Sequence, residues 1–137
     1  MPLPVLPSRG PRVFVLDDQP TIADSIAAIL KMSGYEAHAR YASDAILELA
    51  TELSPDLLIA DVTLDPNSIN GIDLAIYFER FYPECRVILI SGNPDNFELQ
   101  NYARLAGHHF PLLSKPVPPQ QVLDAVERSL AQFTRAA

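Results

Sequence analysis

Cysteine is nearly absent: Cys85 alone in 137 residues excludes a disulfide framework and a cysteine-built metal site, and fits a reducing cytosol. Bases are scarce as well, with 10 Lys and Arg against 17 Asp and Glu and a formal net charge of −7. Such a chain has little with which to replace counterions along a phosphate backbone, so no nucleic-acid partner is expected. No apolar run reaches the ~18–20 residues that a membrane span requires, and no membrane partner is expected either. The start, MPLPVLPSRGP, lacks the apolar core of a secretory signal. A cytoplasmic location is the resulting expectation. What the chain does have is 48% apolar residues over a length that suits one domain, enough to bury about two-thirds of the surface of the unfolded chain.

Thirteen prolines punctuate the sequence. Residues 1–11 carry much Pro and little apolar periodicity, and read as a flexible N-terminal arm ahead of a domain at 12–134. Three solid apolar runs follow, each stopping at small polar residues. Val13-Phe14-Val15-Leu16 stops at Asp17-Asp18, Leu57-Leu58-Ile59-Ala60 at Asp61, and Val87-Ile88-Leu89-Ile90 at Ser91-Gly92. Short apolar runs without alternation suit strands buried on both faces.

Helical spacing fills the intervals. The stripes are Ile22, Ile26, Ile29 and Leu30, stopped by Gly34; then Ile46, Leu49, Ala50 and Leu53, with Ser43 or Asp44 as N-cap and Pro55 beyond the end. A third is Leu74, Ala75, Phe78 and Phe81; a weaker fourth is Leu99, Tyr102, Ala103 and Ala106, ending at Gly107; a fifth is Val122, Val126, Leu130 and Phe133, entered through Pro118-Pro119. Two further strands are less apolar. The stretch from Glu36 to Arg40 alternates, and the one from Phe110 to Ser114 contains Pro111, so both belong at sheet edges. The expected fold is α/β, a doubly wound, flavodoxin-like sheet of five parallel strands in the order 2-1-3-4-5 with five helices.

That order gathers Asp17, Asp18 and Asp61 at one rim. Two unit charges ~4 Å apart repel by ~4 kcal/mol at an effective dielectric of ~20, so a proton or a cation must compensate them. Three short carboxylates offering oxygen alone suit Mg²⁺. Lys115 reaches the same rim from the last strand, and Ser91 offers a hydroxyl from the fourth. The set makes a phosphoryl-transfer site, with Asp61 as the nucleophile and Asp17 and Asp18 as metal ligands.

From Arg12 to Phe133 the chain resembles the receiver domains of two-component response regulators. The resemblance is carried by Val13-Phe14-Val15-Leu16-Asp17-Asp18-Gln19-Pro20, Leu57-Leu58-Ile59-Ala60-Asp61, Val87-Ile88-Leu89-Ile90-Ser91-Gly92 and Leu112-Leu113-Ser114-Lys115-Pro116. It implies that Asp61 is the phosphoacceptor in a phosphorelay, fed by a phosphohistidine on a histidine kinase or phosphotransfer protein. It further implies that Asp17, Asp18, Asp61 and the backbone carbonyl of Thr63 hold Mg²⁺, and that Ser91 and Lys115 contact the phosphoryl group. Thr63 and Asn93 flank the site. On this reading the protein catalyses only its own phosphorylation and dephosphorylation, as a monomer or weak dimer. Because the sequence stops at Ala137, just past the fifth stripe, a stand-alone receiver signalling in trans to a downstream protein is expected.

Three departures from the family pattern stand out. The loop after Asp61 is about two residues longer than is usual in the family, with Asp65 where a proline is usual and Gly71 ten residues on. Leu112 occupies the position of the switch aromatic, with Phe110 two residues before it, and Gln19 stands where an acid often follows the pair. His108-His109, His38, Cys85 and the Phe78-Phe81-Tyr82 group read as structural or surface residues, His38 as exposed, Cys85 as a small buried or half-buried residue near the fourth strand rather than a redox centre, and the aromatic group as core. Two other functions use the same acids. A small Mg²⁺-dependent phosphatase or phosphotransferase would need a general acid two residues after Asp61, where Thr63 stands, and a cap domain. A degenerate receiver acting as a protein-binding scaffold fits Leu112 and the long loop, but not the complete set of Asp17, Asp18, Asp61 and Lys115.

Overall fold

The structure is a computed structural model and describes residues 10–62, 70–92 and 107–134, with the side chains of 132–134 left aside. The three apolar runs form the middle of the sheet as β1 (Arg12–Leu16), β3 (Leu57–Asp61) and β4 (Arg86–Ser91). The edges are β2 (Glu36–Arg40) and β5 (Leu112–Ser114). Every pairing is parallel and the order is β2-β1-β3-β4-β5. Four helices lie among the described residues: α1 (Pro20–Met32), α2 (Ser43–Glu52), α3 (Gly71–Phe81) and α4 (Pro119–Thr134). The fourth predicted stripe, Leu99 to Ala106, falls outside the described residues, as do residues 1–9 of the expected arm.

Successive strand residues point to opposite faces, which explains why the central runs contain no polar positions. Phe14, Leu16, Leu58, Ala60, Val87 and Leu89 pack on one face with Ile46 of α2 and Leu74 and Phe78 of α3. Val13, Val15, Leu57, Ile59, Ile88 and Ile90 pack on the other with Ala23, Ile26 and Leu30 of α1 and Val122 and Val126 of α4. Both faces are dry, so both alternate sets are apolar. Truncating a fully buried leucine such as Leu58 removes about 2–5 kcal/mol, a large part of a typical domain's stability.

Helix ends set where the strands begin. Gly34, at φ 97°, lies in the left-handed region. It lets α1 close with Gly34 N–H donating to Lys31 O (3.1 Å) and Tyr35 N–H to Leu30 O (3.1 Å), the paired bonds of a Schellman motif. The chain then enters β2 at once. At the start of α3, the Asn70 side chain accepts from Asp73 N at 2.8 Å. For α2 the predicted cap is corrected. Neither Ser43 nor Asp44 caps the helix; the cap position is Ala42, in extended conformation and with no side-chain bond. Ser43 is instead fully buried inside the first turn.

Three more expectations change. β5 starts at Leu112 rather than Phe110, since Pro111 has no N–H for a ladder, although its carbonyl still accepts from Leu89 N at 2.8 Å. Phe81 is 58% exposed rather than core, because the stripe of α3 rotates away from the sheet in its last turn. His38 is half-buried, held by Glu36 Oε2 at 2.7 Å and set edge-on to Phe14. The expectation for Cys85 holds: it is buried, and burial followed by the nearby Asp56 charge pushes its thiol up to about 12.

Candidate functional site at the strand ends

Because all five strands run the same way, their carboxyl ends share one rim, and each polar stop found in the sequence lands there. Asp17 follows β1 directly, Asp61 ends β3, Ser91 ends β4 and Lys115 follows β5. Main-chain bonds continue past the strands and fix these positions. Val62 N–H donates to Ile90 O (2.8 Å), Lys115 N–H to Ser91 O (2.8 Å) and Asp17 N–H to Arg40 O (3.3 Å).

Asp17 and Asp61 are 2% and 4% exposed, while Asp18 faces solvent. One carboxylate oxygen from each lies within 4.8 Å of the others. At that spacing each pair repels by about 3.5 kcal/mol at an effective dielectric of ~20 and by about 0.9 kcal/mol in bulk water. Lys115 Nζ sits 2.7 Å from Asp17 Oδ2 and 3.2 Å from Asp61 Oδ2. Burial works against its charge, but the hydrogen bond to Asp17 and the Asp61 and Asp17 charges outweigh it, so its pKa is raised. One ammonium thus faces three carboxylates, and the rim stays negative with room in its charge balance for a further cation. The donors are all oxygens, which matches a hard divalent ion rather than zinc or copper. A buried carboxylate beside such an ion can act as a nucleophile toward phosphorus.

Ser91 is buried at the same rim. Thr63, Asn93 and Asp65 lie outside the described residues. Leu112 is 42% exposed on β5. Phe110 precedes that strand, half-buried against the α3 side of the core and stacked on His108 at 6.1 Å between centroids. His108 itself bonds the Glu79 carboxylate.

Some supporting groups escape a reading of the sequence. Gln19 N–H donates to Asp17 Oδ1 at 2.9 Å, turning that carboxylate while its other oxygen takes Lys115. A Cβ at Gly71 would stand 2.1 Å from the Asp61 carbonyl oxygen and 2.9 Å from Val62 Cα, so only glycine lets α3 begin against the end of β3. A Cβ at Gly92 would meet Lys115 Cδ at 3.3 Å. For Gly92 the signal was a glycine directly after the strand-end hydroxyl of Ser91; Gly71, ten residues past Asp61, carries no such local signal.

Comparison with known proteins agrees with this geometry. Residues 13–127 match the family described as the response regulator receiver domain. The nitrogen assimilation regulatory protein NtrX of Azorhizobium caulinodans is 32% identical over 119 residues, covering 86% of this chain and 26% of that protein. A putative NtrX-like response regulator of Rickettsia typhi is 26% identical over 117 residues, or 85% of this chain and 24% of that one. The chain therefore spans about a quarter of the length of these curated relatives. Among solved structures, the receiver domain of NtrX from Brucella abortus aligns with a TM-score of 0.76 at 28% identity, over 87% of this chain and 98% of that one. A CheY-like receiver domain from Methanospirillum hungatei JF-1 shares the fold, with a TM-score of 0.83 at 23% identity over 93% and 99% of the two chains. The chain belongs to the response regulator receiver domain family of two-component signal transduction.

Proposed function

We propose that Asp61 accepts a phosphoryl group from a phosphohistidine on a histidine kinase or phosphotransfer protein, and that the acyl phosphate so formed is the signal. The observation that carries this reading is Lys115 Nζ held between two buried carboxylates, Asp17 and Asp61, with Asp18 completing an oxygen-only cluster. A carboxylate oxygen of Asp61 forms the new bond to phosphorus. The phosphorus–nitrogen bond of the donor breaks, and the histidine leaves as neutral imidazole after taking up a proton.

Asp17, Asp18, Asp61 and the Thr63 carbonyl are the groups that would hold Mg²⁺. Once bound, the ion supplies charge neutralisation for the incoming phosphoryl oxygens. Lys115 orients the Asp61 carboxylate before transfer and pairs with a phosphoryl oxygen afterwards, as a point charge on a flexible stem. Ser91 donates its hydroxyl to the same group. Phosphorylation adds close to two negative charges at the rim, and a downstream protein reads the difference between the two states only through unequal affinity for them. On this reading the protein turns over nothing but its own phosphoryl group.

Incubation with Mg²⁺ and a small acyl phosphate, followed by intact mass, tests the proposal. Wild type should gain one phosphoryl group and Asp61→Asn none. Uptake that survives Asp61→Asn overturns the assignment. Rapid multiple turnover of metabolite phosphates would instead favour a phosphatase.

A further inference from the structure

A long apolar surface lies uncovered among the described residues. On the side of the sheet that carries α1 and α4, Ile22, Ile26 and Ile29 of α1 line a groove of about 540 Å³ together with Val117, Pro119 and Val122. Helical spacing continues the α1 stripe to Met32, which is 88% exposed. The result is an apolar track from the last turn of α1 to the rim, where it ends at Lys115. Thr21 and Ser25 add two hydroxyls to its walls. Lys115 already pairs with Asp17 and Asp61. A charged occupant would lose its hydration against apolar walls, and an anionic one would also compete with those acids for the ammonium. The groove therefore suits an uncharged, apolar segment.

The chain has such a segment ahead of β1. Pro2-Leu3-Pro4-Val5-Leu6-Pro7 contains no polar side chain, and three of its six residues are prolines. Proline has no N–H, so few backbone donors need a partner when the segment is buried; the Thr21 and Ser25 hydroxyls can accept from those that remain. The segment also starts in the right place. Gly10 packs on the residue that ends α1, where a Cβ would stand 2.0 Å from the Gly34 carbonyl oxygen. Pro11 O accepts from Glu36 N at 3.0 Å, and Arg12 is tied to Glu36 and Asp56, so the chain is fixed at the end of α1 from Gly10 onward. The reach matches too. Counting back from Gly10, residues 7 to 3 extend over ~9–22 Å at the ~3.1 Å per residue of polyproline II. Counting back from Gly34, Ile29 to Ile22 lie ~8–18 Å along α1 at ~1.5 Å per residue.

We propose that residues 2–7 fold back along α1 of their own chain and dock in this groove, with Leu3, Val5 and Leu6 against Ile22, Ile29 and Met32. The segment then covers the apolar surface beside Lys115, and any partner that uses that surface must first displace it. A tether this short holds the segment at an effective concentration in the millimolar range, which favours its own groove over that of a second copy. The docking goes beyond the phosphoacceptor reading and does not depend on it.

The test uses the full chain with methyl labels and, as probe, a synthetic peptide of residues 2–9. Nuclear Overhauser effects should join the methyls of Leu3, Val5 and Leu6 to those of Ile22, Ile29 and Met32. The triple variant Leu3→Ser, Val5→Ser and Leu6→Ser changes only residues ahead of β1, so it should keep the wild-type far-UV circular dichroism while the Ile22, Ile29 and Met32 methyls shift. The peptide should bind that variant saturably at the same methyls. At an effective concentration of ~1 mM, a peptide with a dissociation constant of ~0.1 mM for the variant should bind wild type about tenfold more weakly, because the wild-type groove is already covered. Equal affinity for the two proteins, or no contact between the segment and the groove methyls, overturns the proposal. Contacts seen only between differently labelled copies in a mixed sample assign the groove to a second copy and overturn docking within one chain. Peptide-induced shifts at Tyr77 and Phe81 instead place the segment on the other face of the sheet and overturn it as well.

Discussion

Asp18→Asn separates the electrostatic cost of the acidic rim from its use. In the absence of a divalent cation, Asp18 contributes two repulsions, toward Asp17 and Asp61, at oxygen separations within 4.8 Å. Asp18 faces solvent, so each belongs near the bulk-water figure of about 0.9 kcal/mol rather than the larger one at an effective dielectric of ~20. Lys115, already paired with both buried acids, offsets roughly half of that sum. The net cost is about 1 kcal/mol. Neutralising Asp18 should therefore raise the melting temperature in chelator by about 3–4 °C for a domain of this size. With Mg²⁺ the order reverses. Wild type at ten times its dissociation constant gains about 1.4 kcal/mol, whereas Asp18→Asn, with a neutral amide in place of a charged ligand, should gain only a small fraction of that at the same concentration. Circular dichroism melts in EDTA and across a Mg²⁺ series measure both. A variant less stable than wild type in EDTA, or one that gains as much from Mg²⁺, would refute the reasoning.

Other substitutions probe separate parts of the structure. Gly71→Ala places a methyl 2.1 Å from the Asp61 carbonyl oxygen; it should slow acyl-phosphate uptake at saturating Mg²⁺ at least tenfold while the melt stays cooperative, and an unchanged rate would show that α3 has room to shift. Glu36 is held down to about 2 by its hydrogen bonds to Arg12 and then His38. Its folded pKa is depressed, so its contribution is present above the ordinary carboxylate pKa and fades as pH falls toward 2. Glu36→Gln should thus cost about 1 kcal/mol at pH 7, after allowance for solvent screening. The cost should shrink between pH 4.5 and 2 in acid-dependent urea melts, and a pH-independent difference would remove the ionic explanation. Cys85, buried with its thiol pushed up to about 12, should resist iodoacetamide at pH 8 in the folded protein and react fully in denaturant; fast labelling of the native state would contradict its burial.

How much of this was legible beforehand follows from which forces act locally. The strand order could be read because burial on both faces leaves no polar residue in the runs 13–16, 57–60 and 87–90 of β1, β3 and β4, whereas exposure on one side leaves Glu36, His38 and Arg40 in β2. The acids and Lys115 could be placed because each ends an apolar run, and parallel strands carry their ends to one rim. Residue type alone points to Ser43 or Asp44 as the α2 cap, whereas tertiary packing draws Ser43 into the core and leaves the cap at Ala42. Helical spacing assigns Phe81 to the core because it does not say where the sheet beneath a helix stops. Gln19 could be aligned with the family's acid, but its backbone bond to Asp17 belongs to chain geometry rather than to residue type. The same holds for Gly71, whose role appears only when α3 is seen to start against the carbonyl of Asp61.

The central claim is that the carboxylate of residue 61 itself carries the phosphoryl group. Borohydride reduces an aspartyl phosphate to homoserine and leaves free carboxylates alone, so reductive trapping after acyl-phosphate treatment, followed by peptide mass mapping, locates the modified side chain. Homoserine at position 61 and nowhere else is the expected result. Homoserine at 17 or 18, or a phosphoryl group resting on His108, His109 or Ser91, would contradict it.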